Sequence, residues 1–373
     1  MNRLKLVMKI IGIAVVALTA IVFIFLFSVS TGTTPEFKNE QGKVITNSVA
    51  KMEYVKIGGV EQFLLIRGKN VGNPILLVLH GGPGTPEVPM FRKFNSELEN
   101  HFIVVNWDQR GAGKSTGQNL TANNFTIEQF VEDAHEVTAY LKSQFKKEKI
   151  FLFGHSWGSL LGVRTIAKYP EDYLAYIGTG QIGDQRKSES LDYQFALAKA
   201  KAVNDTTAIH DLLEIGEYSD KNLERVGRMN WFDTQRFYIS KFGGSNVDPD
   251  GVINIFLKPL LFCREYSISD KNNFIKSNRR SPFAKPLFKE LIKTILSTDL
   301  TGMKDLKIPI YFLQGKYDYL TNSSVAKEYF DLLNAPKKTF IEFDKSAHFV
   351  PFEESEKFNK ILINRILKEC AER

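Results

Sequence analysis

The stretch "FLFGHSWGSLLG", residues 151–162, decides how this sequence is interpreted. Its centre, from Gly154 to Gly158, has the spacing G-x-S-x-G, with an apolar strand pattern before it and an apolar helical pattern after it. A serine on so tight a turn has a strained backbone, and glycine two residues to either side leaves room for the neighbouring strand and helix. The spacing alone is common, but its position between strand and helix predicts that Ser156 is a nucleophile.

Ser156 needs a base, and an acid that orients the base, because a serine hydroxyl is a poor nucleophile at neutral pH. In chain order, the acid is expected after a later strand and the base is expected to be a histidine near the C-terminus. Asp318 follows one predicted strand in "YFLQGKYDYLT", and His348 follows the next in "FIEFDKSAHFVPFEE". A single loop histidine is ordinarily a solvated surface residue. The order of the three residues instead predicts a catalytic triad of Ser156, Asp318 and His348.

Glycines and a proline crowd together after another predicted strand, in "HGGPG" at residues 80–84. In acyl transfer the carbonyl oxygen becomes an anion, and backbone N–H groups stabilise it. One donor is expected from Trp157, the residue after the nucleophile, and the second from this loop. Gly82 is predicted to be the second donor, with Gly81 as the alternative, since side chains there would block the substrate. An ordinary turn would explain two glycine or proline residues, but not so many of them in five positions.

Apolar runs alternate with helical patterns through most of the chain. The runs are continuous rather than alternating, which indicates strands buried on both faces and hence a mainly parallel sheet flanked by helices. The fold class is therefore predicted to be α/β. The predicted strands are 74–80, 101–107, 149–154, 173–180, 308–315 and 338–343, after a hairpin around Gly58-Gly59. The predicted helices are 126–146, 157–168, 322–334 and 353–370.

The N-terminus contains a long apolar segment. From Ile10 to Val29 the chain has 20 residues without a charge, and a helix of that length spans about 30 Å, the thickness of a bilayer's hydrocarbon core. We predict a single-pass membrane anchor over residues 1–30. The basic residues before it favour a cytoplasmic N-terminus and an extracytoplasmic catalytic domain. A cleaved signal peptide, giving a secreted protein, is the alternative, although its apolar region is usually roughly 7–15 residues long.

The rest of the chain divides into a linker, a core and an insertion. Residues 31–50 are polar and without clear period, which predicts a linker. Between the predicted strands that end at residue 180 and begin at residue 308 lies a long interval rich in helical pattern. We interpret residues 185–290 as a helical cap inserted into a core of residues 51–184 and 291–373.

Composition excludes several classes of protein. Lys and Arg outnumber Asp and Glu by 49 to 42, and three of the basic residues precede the apolar segment. The weak excess that is left, with no basic cluster next to aromatic residues, gives no reason to expect nucleic acid as a partner. Cys263 and Cys370 are far apart and outside any Cys/His cluster, which favours two free thiols over a disulfide and gives no zinc site.

Three motifs together resemble the proline iminopeptidase family of α/β hydrolases, the S33 serine peptidases. They are "HGGPG" (80–84), "WDQRGAGKS" (107–115) and "GHSWGS" (154–159), and the resemblance runs from the end of the linker to the C-terminus. It implies an α/β-hydrolase core with a helical cap over the site, the triad named above, and neither metal nor cofactor. Asp108 and Arg110 belong to a motif that is chiefly structural in the family. A phosphate-binding loop at "GAGKS" is excluded, since that pattern requires glycine where Asp108 stands.

Two features depart from the family's pattern. His155 precedes the nucleophile where the peptidases commonly have glycine, a change expected to have little effect on the chemistry. Family members that remove N-terminal proline hold the free amine of the substrate with cap glutamates beside tryptophans, and that pattern is not matched here. The candidate amine-binding residues are Glu214, Glu217 and Glu224, with Trp231 nearby, although a charged cap residue is more often solvated.

These features predict a membrane-anchored serine hydrolase. The first candidate activity is that of an aminopeptidase, which releases N-terminal proline or another small apolar residue from short peptides through an acyl-enzyme. The alternative is a carboxylesterase or amidase acting on small esters or amides, since the same machinery works there without an amine ligand. A non-catalytic binding protein of the same fold is a third interpretation, but such proteins usually lack a triad member and none is missing here.

Overall fold

Strands at the centre of the molecule form one sheet. In this computed structural model the described residues are 2–116, 120–223, 230–279 and 285–371. Within them the strands are β1 (Val49–Ile57), β2 (Val60–Gly68), β3 (Ile75–Leu79), β4 (Ile103–Asp108), β5 (Ile150–His155), β6 (Tyr173–Thr179), β7 (Ile310–Gly315) and β8 (Lys338–Phe343). Their order across the sheet is β1-β2-β4-β3-β5-β6-β7-β8.

The sheet is mainly parallel, which confirms the predicted α/β class. β1 and β2 form an antiparallel hairpin, and β2 is also antiparallel to β4, whereas the other neighbouring strands pair in parallel. Every residue of β3, β4, β5 and β7 is buried, because helices cover both faces. The carboxyl ends of parallel strands meet at one edge, so the loops after β3, β5, β6 and β7 lie close together there.

One helix, α1, precedes the sheet, and the other helices pack on its two faces or lie between β6 and β7. They are α1 (Asn2–Ser28), α2 (Val88–Phe94), α3 (Ile127–Phe145), α4 (Trp157–Lys168), α5 (Gln185–Ala202), α6 (Thr206–Ile215), α7 (Asp220–Leu223), α8 (Trp231–Lys241), α9 (Lys258–Phe262), α10 (Ile268–Arg279), α11 (Pro286–Leu296), α12 (Ser323–Leu332), α13 (Val350–Glu353), α14 (Ser355–Ile361) and α15 (Leu367–Ala371). A π-helical turn over Val252–Leu257 leads directly into α9.

The interval between β6 and β7 contains the helices from α5 to α11, joined by turns such as residues 242–250 and 263–267. The last of these helices, α11, runs across the predicted boundary at residue 290, so that boundary does not coincide with the end of an element. The division into a core and an inserted cap over 185–290 stays a prediction.

The predicted C-terminal helix over 353–370 is interrupted. Glu354 leaves the helical conformation, with φ −122° and ψ 50°, between α13 and α14. Its carboxylate accepts hydrogen bonds from the backbone N–H of Lys345 (3.0 Å) and the hydroxyl of Ser346 (2.8 Å). The residue is therefore turned towards the loop after β8 instead of continuing the helix.

The first helix is apolar along nearly its whole length. Within Lys5–Ser28 its most apolar 18-residue window has a mean hydropathy of 3.1, and none of that window is buried against the rest of the protein. It is long and apolar enough to cross a membrane, a property that an N-terminal signal sequence shares. Both cysteines, Cys263 and Cys370, are buried free thiols.

Candidate active site

Ser156 occupies the turn between β5 and α4 in a backbone conformation that side chains rarely adopt. Its φ is 54° and its ψ is −119°, which costs on the order of 1–3 kcal/mol. A Cβ added at Gly158 would lie 2.0 Å from the carbonyl oxygen of Leu79, and one added at Gly154 would lie 2.4 Å from the carbonyl oxygen of Gly158. Only glycine fits at either position, so the spacing that singled out Ser156 has a steric cause.

His348 is held by Asp318 through one of its two ring nitrogens. Nδ1 of His348 lies 2.9 Å from Oδ2 and 3.1 Å from Oδ1 of the carboxylate. Because an ionised carboxylate only accepts hydrogen bonds, Nδ1 carries the proton and Nε2 keeps a free lone pair. Burial raises the pKa of Asp318, but His348 and the N–H groups of Thr321 and Leu320 outweigh it, and the net shift is downward. Asp318 is therefore ionised at neutral pH.

A second carboxylate supports the loop that carries His348. Oε2 of Glu353 accepts the backbone N–H groups of Ala347 (2.9 Å) and Phe349 (3.1 Å), one on each side of His348. Its other oxygen accepts the N–H of Val247 at 2.7 Å. Burial raises the pKa of Glu353 to about 7, although these donors oppose the shift. Glu353 lies in the same sequence segment from which His348 was predicted, but no motif spacing indicated a role for it.

The loop after β3 begins with Gly81 and Gly82, and only one of them has a backbone N–H that is available to a substrate. The N–H of Gly81 donates to Oε1 of Glu87 at 3.1 Å, so it points away from a substrate. Gly82 has φ +119°, and a Cβ there would lie 2.5 Å from the nitrogen of Gly84. Trp157 is the first residue of α4, where a backbone N–H has no acceptor within the helix. Gly82 and Trp157 both line the same cavity as Ser156.

His155 forms a buried pair with Glu87 directly behind the site. Nδ1 of His155 lies 2.6 Å from Oε1 of Glu87, and Nε2 lies 3.0 Å from the backbone carbonyl oxygen of His348. A carbonyl only accepts, so Nε2 of His155 carries a proton and a further proton lies between Nδ1 and Glu87. Burial lowers the pKa of His155, but Glu87 and this carbonyl outweigh it and the net shift is upward. His155 thus binds the backbone of His348 directly instead of merely filling the core.

Ser156 and His348 line one cavity, which lies between the sheet edge and the helices from α8 to α11. Its volume is about 540 Å³, within the range of small-molecule sites. Most of its wall is apolar: Ile182, Phe232, Val252, Phe256, Leu257, Leu260, Phe274, Ile275, Ile292, Ile295, Leu296, Leu320 and Phe349. Arg236 also lines it, paired with the buried Glu189. Among the described lining residues, Glu87 is the carboxylate.

Residues 74–355 match a family model described as alpha/beta hydrolase fold. This chain belongs to the α/β-hydrolase family. It is 31% identical over 321 residues to the probable aminopeptidase YbaC of Bacillus subtilis, covering 84% of this chain and 96% of that protein. It is 24% identical over 324 residues to a proline iminopeptidase of Thermoplasma volcanium, with the same two coverages. The predicted resemblance to proline iminopeptidases is thereby confirmed.

Solved structures of α/β hydrolases share the fold at lower identity. The proline iminopeptidase of Mycobacterium smegmatis superposes with a TM-score of 0.58 at 17% identity, covering 86% of this chain and 98% of that one. A membrane phospholipase A described as a bacterial virulence factor gives a TM-score of 0.60 at 17% identity, covering 100% of both chains. At these identities the likeness concerns the fold.

The predicted amine-binding residues are not brought to the cavity of this α/β hydrolase. Glu214 and Glu217 are exposed and lie outside its lining, and Glu217 accepts a hydrogen bond from Gln194 at 3.0 Å. Trp231 is buried and its Nε1 donates to the carbonyl of Gly216 at 2.9 Å, so it packs within the helical region. Glu224 lies outside the described residues. Sequence patterns gave helical positions here, but not the direction in which each helix faces.

Asp108 and Arg110 serve the scaffold, as the family resemblance implied. Arg110 is buried and binds both carboxylate oxygens of Asp133, at 2.5 Å and 2.6 Å. Asp108 accepts hydrogen bonds from the backbone N–H of Lys114 (2.9 Å) and the hydroxyl of Tyr266 (3.1 Å). Burial raises the pKa of Asp108 to about 7. These contacts tie the loop after β4 to α3 and to the segment before α10.

Proposed function

We propose that the protein is a serine hydrolase with Ser156 as the nucleophile, His348 as the base and Asp318 as the residue that orients the base. The observation that carries the proposal is the hydrogen bond from Nδ1 of His348 to Asp318, which leaves Nε2 able to take a proton. In the first step the hydroxyl oxygen of Ser156 attacks a substrate carbonyl while His348 accepts the hydroxyl proton. The negative oxygen is stabilised by the N–H groups of Gly82 and Trp157.

The tetrahedral intermediate then collapses in the ordinary sequence of acyl transfer. His348 donates its proton to the leaving group, whose bond to the carbonyl carbon breaks, and an acyl-enzyme ester on Ser156 is left. Water attacks this ester while His348 accepts one of its protons. The second collapse returns the proton to the oxygen of Ser156 and releases a carboxylic acid.

The first proposed substrate class is a short peptide with a free N-terminus and proline or a small apolar residue at its first position. The similarity to YbaC and to proline iminopeptidases supports this class, and the apolar wall suits such a residue. A substrate ammonium needs a negative partner in so apolar a site. We assign that role to Glu87, whose Oε2 is buried without a hydrogen-bond partner.

The alternative substrate class is a small ester or amide without a charged amine. It is favoured by the same wall, in which Glu87 is already bound to His155 and to the N–H of Gly81. An ester with an apolar acyl group would require nothing further from this carboxylate. The two classes therefore differ in whether Glu87 contributes to turnover beyond its structural contacts.

The deciding experiment compares aminoacyl arylamides with short-chain aryl esters on the purified full-length protein. A fluorophosphonate probe is expected to label wild type and to leave Ser156→Ala unlabelled, and this variant is expected to lose turnover of both substrate classes. Ester turnover without arylamide cleavage would remove the peptidase assignment. Labelling that persists in Ser156→Ala would contradict the choice of nucleophile.

Glu87→Gln separates amine binding from structural support. If Glu87 binds the ammonium, KM for arylamides is expected to rise by about 100-fold, the loss of one charge-assisted contact of about 3 kcal/mol. The kinetic constants for an uncharged ester are expected to stay within a few-fold of wild type. Equal losses for both substrates would mean that Glu87 acts only by holding Gly81 and His155.

We also propose that α1 is retained as a membrane anchor, with the catalytic part outside the cytoplasm. The ammonium of Lys271 is largely buried and donates to the carbonyl of Val29 (2.7 Å), the hydroxyl of Ser30 (2.8 Å) and the carbonyl of Leu261 (2.7 Å). Cleavage after residue 30 would remove two of these three acceptors. Intact mass measurement of the protein from the membrane fraction is expected to give a chain that includes α1, whereas a shortened soluble chain would favour the signal peptide.

A further inference from the structure

Exposed apolar side chains gather on one stretch of the helical region between β6 and β7. We call this surface the apolar lip, and its members are Val252, Ile253, Leu257, Leu261, Phe262 and Ile275. Each exposes between 38% and 57% of its surface. Scattered apolar side chains are ordinary on a protein surface, but a contiguous group of this kind marks a place of contact with a partner or a membrane.

The apolar lip lies beside the point where α1 joins the folded domain. The ring of Phe25, near the end of α1, packs edge-on against the ring of Phe262 with centroids 6.0 Å apart. The backbone N–H of Thr33 donates to the carbonyl of Arg264 at 3.2 Å. Lys271 binds the carbonyl oxygens of Val29 and Leu261 together. The end of a helix that can cross a membrane is thus fixed to the lip.

Half of the apolar lip also lines the cavity that contains Ser156. Val252, Leu257 and Ile275 expose 57%, 47% and 41% of their surfaces, and the same three residues line the cavity. An apolar path therefore runs from the outer surface of the lip into the site. A surface placed at the lipid boundary by α1 would bring the cavity mouth to that boundary as well.

The charges near the lip fit a lipid surface. From residue 250 to residue 276 the exposed charged side chains are Asp250, Lys258, Arg264 and Lys276, three of them basic. The acids Glu265 and Asp270 are paired with Arg92 (2.8 Å) and Lys114 (2.6 Å). Basic side chains beside apolar ones are typical of surfaces that lie at the headgroup level of anionic membranes.

We propose that the apolar lip inserts into the bilayer that α1 spans, so that the active-site cavity opens onto the lipid. The partner is the membrane itself. Because α1 is proposed to cross that membrane and its end packs against the lip, the lip extends the same lipid contact. A second consequence rests on the proposed hydrolase function: substrates with an apolar portion enter the cavity from the bilayer and not only from water.

Tryptophan quenching by brominated lipid tests the insertion without relying on catalysis. Single variants Ile253→Trp and Phe262→Trp of the full-length protein are placed in phosphatidylcholine nanodiscs, with and without bromine in the upper acyl chain. Phe237→Trp is the matched control, because Phe237 exposes 57% of its surface against 54% for Phe262 and lies outside both lip and cavity lining. The native tryptophans, Trp107, Trp157 and Trp231, are buried, and the wild-type signal is subtracted.

Both lip tryptophans are expected to lose about half of their emission in brominated nanodiscs, as for side chains seated at the acyl boundary, while the control is unchanged. Quenching at 262 alone would report only the neighbourhood of α1 and would overturn the proposal. A tryptophan at position 253 that is not quenched would overturn the proposal, whatever the result at position 262.

Turnover gives an independent second measurement. Ile253 does not line the cavity, so Ile253→Glu is expected to leave hydrolysis of a water-soluble aryl ester unchanged. Hydrolysis of a long-chain ester embedded in the nanodisc is expected to fall about tenfold, because a charge is costly at the acyl boundary. Unchanged hydrolysis of both esters would refute entry from the bilayer. If neither ester is cleaved while the tryptophans are quenched, the hydrolase proposal fails and the insertion stands.

Discussion

Asp318 determines which nitrogen of His348 carries a proton, and this makes it the most informative single residue to change. In Asp318→Asn an amide replaces an acceptor-only carboxylate, so the ring can turn or change tautomer and Nε2 no longer holds a free lone pair towards Ser156. We expect kcat to fall about 10³- to 10⁴-fold with little change in KM. Steady-state kinetics check this, with Asp305→Asn, an exposed aspartate, as the control. A loss below tenfold would remove Asp318 from the triad.

Glu353 provides a pH-dependent prediction for the loop that holds His348. Its pKa in the folded protein is about 7, above its ordinary value of 4.5. A carboxyl group with a raised folded-state pKa contributes stability that is fully present below pH 4.5 and is lost as the pH rises through 7. In Glu353→Gln this component of the pH dependence disappears. We expect the stability advantage of wild type over the variant to shrink by on the order of 1–3 kcal/mol from pH 4.5 to pH 8.

Urea unfolding of both proteins at the two pH values measures that difference directly. An advantage of wild type that grows with pH would mean that the three backbone donors, and not burial, dominate the ionisation of Glu353. The wild-type slope alone does not decide the point, since other groups also titrate in this interval.

Sequence order predicted Ser156, Asp318 and His348 as a triad, but it did not predict the side chains that contact them. The three follow strands of one parallel sheet, and parallel strands end at a common edge, so their positions along the chain imply nearness. Glu87 meets His155 across 68 residues, and Glu353 binds backbone N–H groups that any sequence would supply. Contacts of that kind produce no characteristic spacing or residue type in the sequence, so they could not be predicted from it.

At the scale of the elements, the close approach of α4 to β3 fixes where Ser156 points. A Cβ at position 158 would lie 2.0 Å from the carbonyl of Leu79, so Gly158→Ala must move the start of α4 away from the sheet. We expect a loss of about 3 kcal/mol in unfolding free energy, and a fall in kcat from the displaced N–H of Trp157. Gly302→Ala is the control, because a Cβ there meets nothing within 4 Å.

Thermal and urea unfolding, together with fluorophosphonate labelling rates, check this prediction. An alanine variant at 158 that keeps both stability and labelling rate would mean that the turn is not sterically constrained.

The sequence pattern located α4 and the strands well, since a sharp turn and a continuous apolar run are local signals. It did not show the interruption at Glu354, because that break depends on a hydrogen bond to Ser346 in another loop.

At the scale of the whole molecule, the apolar N-terminal segment was predictable from length and hydropathy, but its attachment to the domain was not. A membrane helix is recognised without any knowledge of what lies beside it. The contact between Phe25 and Phe262 joins residues that are separated along the chain by the six strands from β1 to β6. It follows that the orientation of the cavity relative to the anchor comes from tertiary contacts and not from the order of segments along the chain.

Lys271 is the residue on which that orientation most depends. Lys271→Ala removes one buried donor that serves Val29, Ser30 and Leu261, and leaves two carbonyl oxygens without a partner. We expect a loss of about 2 kcal/mol in unfolding free energy, together with faster proteolysis between α1 and the domain. Lys276→Ala, an exposed lysine on the same helix, is the control. If the two variants unfold and are cleaved alike in detergent micelles, α1 is tethered rather than docked, and the cavity has no fixed direction towards the membrane.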